Sequence, residues 1–206
     1  MQNTSRARKA GIIGMVGAVL WAIVNVLEVS FNLFPPNGSG PLYVTNQILA
    51  LVALGAIAWG ILGIIWGGGV SGRFGKIVVW IFSIGHVLIV IGGIMALLLR
   101  ADDSPIFLVF PIGALMMDVG ALLTGIAVIK DQRWTGWQRF MPLVYAIYLW
   151  LAIEVPFMMG VYGEGGPVGM VEIIQDLGLF LIALAVYTTQ SSQSVAKTPV
   201  SAQHNL

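Results

Sequence analysis

The chain has 206 residues, of which 58% are apolar and 9% charged, and its 10 Lys and Arg against 9 Asp and Glu leave a formal net charge of +1. An ordinary soluble domain carries about 25% charged residues, so this composition excludes a water-soluble globular protein. The sequence contains no Cys, which excludes disulfides, thiolate metal sites and cysteine nucleophiles. We therefore interpret the chain as an integral membrane protein.

Six apolar stretches are long enough to cross the hydrocarbon core of a bilayer, which takes about 20 residues in a helix. They predict spans at residues 11–33, 42–66, 76–99, 106–129, 138–161 and 168–188. The predicted fold is all-α: a six-helix transmembrane bundle over 11–188, after a basic cytoplasmic N-terminus at 1–10 and before a disordered polar cytoplasmic tail at 189–206. No small-x-small cleavage motif follows the first apolar stretch, so we expect it to be retained as a signal anchor.

The basic residues indicate the orientation of the spans. Nine of the ten lie on one side of the six-span arrangement: Arg6, Arg8, Lys9, Arg73, Lys76, Lys130, Arg133, Arg139 and Lys197. Arg100 lies on the other side. Because cytoplasmic loops are enriched in Lys and Arg, we predict a multi-pass protein of the plasma membrane with both termini in the cytoplasm. Four tryptophans flank the basic loops and are predicted to lie among the lipid headgroups: Trp66, Trp80, Trp134 and Trp137.

Prolines open three of the predicted spans. Pro41, Pro105 and Pro167 begin the second, fourth and sixth spans, where the first helical turn needs no backbone donor. This pattern predicts three helical hairpins that face the outside. Residues 27–31 also resemble residues 153–157. A duplication that relates the first and last hairpins is therefore one interpretation, and chance similarity between evenly spaced apolar helices is the other.

Acidic residues at membrane depth are the most informative feature of the sequence. Five of the nine acids fall within predicted spans: Glu28, Asp118, Glu154, Glu172 and Asp176. No Lys or Arg lies well inside a span, and the one base there is His86. An ionised carboxylate in hydrocarbon costs several kcal/mol unless it is paired, hydrated or protonated. These acids are therefore expected to be neutral, to face a water-filled cavity or to hold a cation.

Helical spacing groups several of these side chains on shared faces. Asn25 and Glu28 lie on one stripe of the first span, and Glu172 and Asp176 share a face of the sixth. If these faces converge with that of Glu154 in the fifth span, they form a negative pocket that opens to the outside. The alternative is structural, since polar side chains in membrane helices also hydrogen-bond neighbouring helices or reach the headgroups.

Asp118 and His86 lie deeper, near the middle of the fourth and third spans. At this depth they are predicted to extend the polar path inward as a proton-exchanging pair. The full set of predicted ion-binding or ligand-binding residues is Asn25, Glu28, His86, Asp118, Glu154, Glu172 and Asp176. The sequence contains no recognisable catalytic motif, and it predicts no metal site, no resident cofactor and no nucleic-acid partner.

Three functional hypotheses follow from this pattern. The leading one is a small transporter or channel-like protein that handles a proton, a cation or a cationic small molecule through intramembrane carboxylates. The second is an accessory subunit that binds another membrane protein, with the polar stripes serving helix contacts. The third is an intramembrane lipid-modifying enzyme that uses a carboxylate and His86 for acid–base chemistry, which requires a lipid-facing opening beside His86.

Overall fold

Helices make up nearly all of the protein that the structure describes. The computed structural model describes residues 4–31, 33, 40–99, 108–161 and 170–195, and no strand occurs in these ranges. Six helices in the same ranges are long and apolar enough to span a membrane. The prediction of an all-α six-helix bundle is therefore confirmed.

The six spans follow the predicted order and lie close to the predicted boundaries. Their helices are Thr4–Phe31, Gly40–Trp66, Arg73–Leu99, Val109–Asp131, Met141–Met158 and Met170–Val195, numbered here as the first to sixth span. The first helix begins within the predicted basic N-terminus, and the sixth continues past residue 188 because helical hydrogen bonding does not stop at the edge of the apolar run. Among the predicted features, Arg100, Pro105, Pro167, Lys197 and the tail from 196 lie outside the described residues.

Local sequence explains where individual helices begin and end. Gly40 has a φ of +83°, which glycine adopts without steric cost, and Pro41 follows it in the first turn of the second span. At the C-terminal end of the fourth span, Gln132 adopts a left-handed conformation with a φ of +50° and ends the helix. The chain can then turn toward the fifth span.

The spans form a ring in chain order. Each span packs against the next along the chain, and the sixth packs against the first, which closes the ring. The most extensive contacts join the first span to the second and the third to the fourth, as the hairpin prediction requires. The fifth and sixth spans touch less, and the sixth packs mainly on the first. The third predicted hairpin is therefore a loose pair.

Small residues bring the tight pairs into backbone contact. A Cβ added to Gly60 would lie 2.6 Å from the Cα of Gly14, so the first and second spans touch at these two glycines. A Cβ on Gly85 would lie 2.5 Å from the backbone nitrogen of Met117, which joins the third span to the fourth in the same way. Such contacts, typical of membrane helices, determine which faces turn toward the interior.

The basic residues of the described ranges gather at one end of the bundle, here called the basic end. The Arg6 guanidinium lies 4.0 Å from the ring centroid of Trp66, and Arg8 donates a 3.1 Å hydrogen bond to the hydroxyl of Tyr187. The start of the first span therefore lies beside the ends of the second and sixth. Asp131 accepts hydrogen bonds from the backbone and hydroxyl of Ser71, which joins the two other basic loops. We call the opposite end the far end.

One tryptophan at the basic end departs from the prediction. Trp134 is 1% exposed, and its indole donates a 3.5 Å hydrogen bond to the carbonyl of Gly67. The ring occupies space that a side chain on Gly69 would fill. Trp134 therefore packs inside the protein and does not face the headgroups as predicted, whereas Trp80 and Trp137 are 49% and 43% exposed.

Candidate functional site

Amide side chains hold two of the acids near the far end. Asn25 donates a 3.0 Å hydrogen bond to Asp176, which joins the first span to the sixth inside the bundle. Asn46 and Gln47, from the second span, each donate a 3.2 Å hydrogen bond to the same carboxyl oxygen of Glu28. The predicted stripes of the first and sixth spans therefore do face each other, and the second span completes this wall.

Glu172 lies near the acids of both contacts. Its carboxyl group lies within electrostatic range of both Glu28 and Asp176. One of its oxygens is buried without a hydrogen-bond partner. Since Glu172 and Asp176 are one helical turn apart, the first turns of the sixth span present two acids to the same region.

Asp118 and Glu154 form a second group, nearer the middle of the bundle. Their carboxyl groups lie within hydrogen-bonding reach of each other, between the fourth and fifth spans. Asp118 is 3% exposed, and its Oδ1 has no hydrogen-bond partner. An ionised carboxylate only accepts hydrogen bonds, so a hydrogen bond between these two groups requires a proton on one of them.

A break in helical geometry aims Glu154 at this contact. Leu149–Glu154 forms a π-helix that ends two residues before Pro156. Proline lacks a backbone donor and its ring collides with the carbonyl four residues earlier, which favours a widened turn at this place. Each extra residue in such a turn rotates the following side chains by about 100°. Pi-bulges occur frequently at functional sites, and this one places an acid in the interior.

Tyr145 links the two groups and was not predicted from the sequence. It is 2% exposed, and it lies within electrostatic range of Asp118, Glu154 and Asp176. Its hydroxyl approaches the side chain of Gln175 without forming a well-aligned hydrogen bond. A hydroxyl-bearing residue in an otherwise apolar run is the one signal that the sequence offered for it.

Together these residues form what we call the carboxyl cluster: Glu28, Asp118, Glu154, Glu172 and Asp176, with Asn25, Asn46 and Tyr145. It draws on five of the six spans and runs from the far end to the middle of the bundle. Five of its oxygens are buried without a partner: Asn46 Oδ1, Asp118 Oδ1, the Tyr145 hydroxyl, Glu172 Oε2 and Asp176 Oδ1. The partners of its acids within the described ranges are amides, acids and Tyr145, and none is Lys or Arg.

The cluster is a chain of pairs and not a single point of convergence. Nowhere in the described part of the chain do three His, Asp or Glu side chains come close enough to hold a metal ion. A cavity between the first, second and sixth spans is apolar, measures about 10 Å³ and is lined by Gly14, Gly60 and aliphatic side chains. No acid lines that cavity, which lies apart from the cluster.

His86 lies outside the chain of pairs. It is 1% exposed, its Nδ1 lies 3.0 Å from the carbonyl oxygen of Phe82, and its ring packs edge-on against the Phe82 ring. Within the described ranges, no hydrogen bond joins His86 to Asp118. Ser83, one turn earlier, donates a 2.9 Å hydrogen bond to the carbonyl of Ala58 and so joins the third span to the second.

An apolar layer separates the cluster from the basic end. It consists of buried side chains of the second, third, fourth and sixth spans: Ile61, Ile64, Val78, Val79, Val128 and Val186. Each of them lies in the half of its helix that is nearer the basic end. The five acids therefore lie in the far half of the bundle, whereas aliphatic side chains make up most of the interior of the basic half, where Thr124 and Thr189 are buried among them.

Known proteins provide no assignment for this chain. No family model, curated protein or solved structure matches the chain. A bundle of six membrane helices accommodates many unrelated activities, so the fold alone assigns none. The chemistry of the carboxyl cluster is what distinguishes this bundle.

Proposed function

We propose that the protein moves a proton or a small cation across the plasma membrane through the carboxyl cluster. The observation that supports this proposal is the set of buried oxygens without partners, which lie among five acids and have no Lys or Arg beside them in the described ranges. A buried polar atom without a partner costs about 1–3 kcal/mol. A positively charged ligand supplies what these oxygens lack.

The two halves of the bundle favour a gated mechanism over an open pore. The polar cluster reaches the far end, and the apolar layer at Ile64, Val79 and Val186 closes the basic half. By the positive-inside rule, the basic end faces the cytoplasm and the cluster opens to the outside, with both termini in the cytoplasm. Passage of an ion then requires a second packing of the helices. The loose contact between the fifth and sixth spans is the part of the ring that can change most easily.

The test is ion flux into liposomes that contain the purified protein. An internal pH dye reports proton entry under an imposed pH gradient, and parallel experiments replace the proton gradient with K⁺ or Na⁺. We expect flux above that of protein-free vesicles for the wild type and a decrease of about tenfold, or ~1.4 kcal/mol in barrier height, for Asp118→Asn.

Asp131→Asn is the matched control, because it makes the same chemical change at the basic end, outside the cluster. It should conduct like the wild type. Equal flux in protein-free, wild-type and Asp118→Asn vesicles would refute the proposal.

An accessory subunit of a membrane complex is the second candidate. Two amides satisfy one oxygen of Glu28, and Asn25 joins Asp176 across the ring, contacts that serve helix packing as well as they serve an ion. A native gel of mild-detergent extracts discriminates between the two: a stable heteromeric complex favours the subunit, and a lone monomer or homodimer opposes it. Burial of the His86 ring provides no lipid-facing opening, so no specific observation favours the lipid-modifying enzyme.

A further inference from the structure

We infer that Asp118 and Glu154 share one proton, and that this pair, not a metal site, is where the cluster holds its ion. The inference rests on the proposed function for its role in transport and narrows the transported species to a proton. The pair itself is testable without any transport measurement. Three observations support it: the contact between the two acids, the unpartnered polar atoms beside it and the absence of a cationic neighbour in the described ranges.

The contact between the carboxyl groups is the first observation. The carboxyl groups of Asp118 and Glu154 lie within hydrogen-bonding reach of each other, across the fourth and fifth spans. Two carboxylates this close repel each other strongly when both are ionised, whereas one proton between them turns repulsion into a hydrogen bond. The π-helix Leu149–Glu154 ends at the second acid of the pair, so this widened turn helps to set the direction in which Glu154 points.

The polar atoms around the pair are the second, independent observation. The Tyr145 hydroxyl is buried in a side chain that is 2% exposed, and it has no well-formed hydrogen bond although it lies near Asp118, Glu154 and Asp176. A hydroxyl both donates and accepts hydrogen bonds. It therefore suits a neighbour that changes between a protonated and an ionised state. The glycine at Gly178 makes room for this ring, since a Cβ there would lie 2.7 Å from it.

The charged surroundings of Asp118 are the third observation. The fifth span presents Glu154 and Tyr145 to it, and the sixth span presents Asp176. In the third span, the titratable side chain near the middle of the helix is His86, whose Nδ1 lies 3.0 Å from the carbonyl oxygen of Phe82. Within the described ranges, no Lys or Arg faces the pair to balance two negative charges. The described residues place no third acidic or imidazole side chain close to the pair, so it lacks the three side-chain ligands typical of a zinc site.

Infrared difference spectroscopy of the purified, full-length protein in lipid tests the pair. Protonated carboxylic acids have a C=O stretching band that ionised carboxylates lack and that shifts in D₂O. The samples, at neutral pH, are the wild type, Asp118→Asn, Glu154→Gln, the double variant and the control Asp131→Asn. Either new amide donates a hydrogen bond to the remaining carboxylate, which then needs no proton.

One shared proton predicts a specific, non-additive result. Each single variant should lose the same band intensity as the double variant, and the control should lose none. If each single variant lost only half of the band intensity and the double variant lost the sum, the two acids would carry separate protons and the inference would be overturned. The lack of a D₂O-sensitive carboxyl band in the wild type would overturn it as well, even if no variant folds.

The two proposals fail in different experiments. If the band behaves as expected but wild-type vesicles conduct no better than protein-free ones, the proton pair stands and the transport function is refuted. If flux depends on Asp118 but the band is unchanged in both single variants, transport stands and the shared proton is refuted.

Discussion

The side-chain amide of Asn25 donates a 3.0 Å hydrogen bond to Asp176, a residue 151 positions later in the chain. This contact closes the ring of spans, because it joins the first helix to the sixth inside the bundle. It also turns Asp176 toward the interior, where the residue is 2% exposed, instead of toward lipid. A single buried amide thus contributes both to the architecture and to the carboxyl cluster.

Substitution of Asn25 should therefore cost stability. Asn25→Leu preserves the side-chain volume and removes the donor, which leaves a buried Asp176 oxygen unpaired. We expect the free energy of unfolding to fall by about 1–3 kcal/mol, measured by denaturant titration in detergent micelles. Combination with Asp176→Leu should recover at least part of this loss, with a coupling energy of about 1 kcal/mol. Ser30→Leu, at an exposed position of the same helix, is the control; losses that simply add would contradict the contact.

Tyr145 and Tyr148 provide a matched pair of hydroxyl deletions. Tyr145→Phe removes a buried hydroxyl that has no well-formed hydrogen bond, so the melting temperature should stay the same or rise while proton flux falls. Tyr148→Phe removes a 2.6 Å hydrogen bond to the carbonyl of Val171 and should cost about 1 kcal/mol in stability with flux retained. Thermal unfolding and liposome flux on both variants check the prediction. The reverse pattern would place the functional hydroxyl at Tyr148.

Gly60 and Gly55 differ in what surrounds them within one helix. A Cβ at Gly60 meets the backbone of Gly14 at 2.6 Å, whereas nothing lies within 4 Å of a Cβ at Gly55. Gly60→Ala should therefore force the first and second spans apart and lower the free energy of unfolding by about 1–3 kcal/mol. Gly55→Ala should be neutral or stabilising by about 0.4–1 kcal/mol. Equal effects, measured by thermal unfolding, would argue against the close helix contact.

Trp134 and Trp137 differ in burial although they lie three residues apart. Trp134 is 1% exposed and packs on Gly69, so Trp134→Ala should lower the free energy of unfolding by about 3–5 kcal/mol. Trp137 is 43% exposed, and its replacement by Ala should have a small effect on unfolding in micelles. Denaturant titration of both variants provides the comparison. A larger loss for Trp137→Ala would mean that the loop packs differently.

Part of the site was predictable because helical spacing is local. The stripe with Asn25 and Glu28 and the face with Glu172 and Asp176 follow from 3.6 residues per turn, and the structure brings both faces together. The predicted pairing of His86 with Asp118 rests on depth alone. Depth is a poor guide to contact, because helices of equal depth can turn their side chains to different neighbours. Here His86 lies against Phe82.

Glu154 and Tyr145 show where spacing arguments stop. They are nine positions apart, and at about 100° per residue an ideal α-helix points them to opposite sides. The π-helix before Pro156 rotates Glu154 toward the interior, so both residues reach the region of Asp118. A proline signals a local distortion, but whether the helix kinks or widens depends on the helices packed around it.

The number of spans, their approximate ends and the grouping of most basic residues at one end can be read from the sequence, because the length of an apolar run and the charge of a loop are local properties. The packing of the sixth span on the first, the burial of Trp134 and the succession of paired acids arise in the folded bundle. These results depend on close helix contacts at residues such as Gly14 and Gly60 and on hydrogen bonds between distant spans. Such contacts form only where the surfaces of two helices fit each other. A single stretch of sequence describes one of these surfaces and not the other.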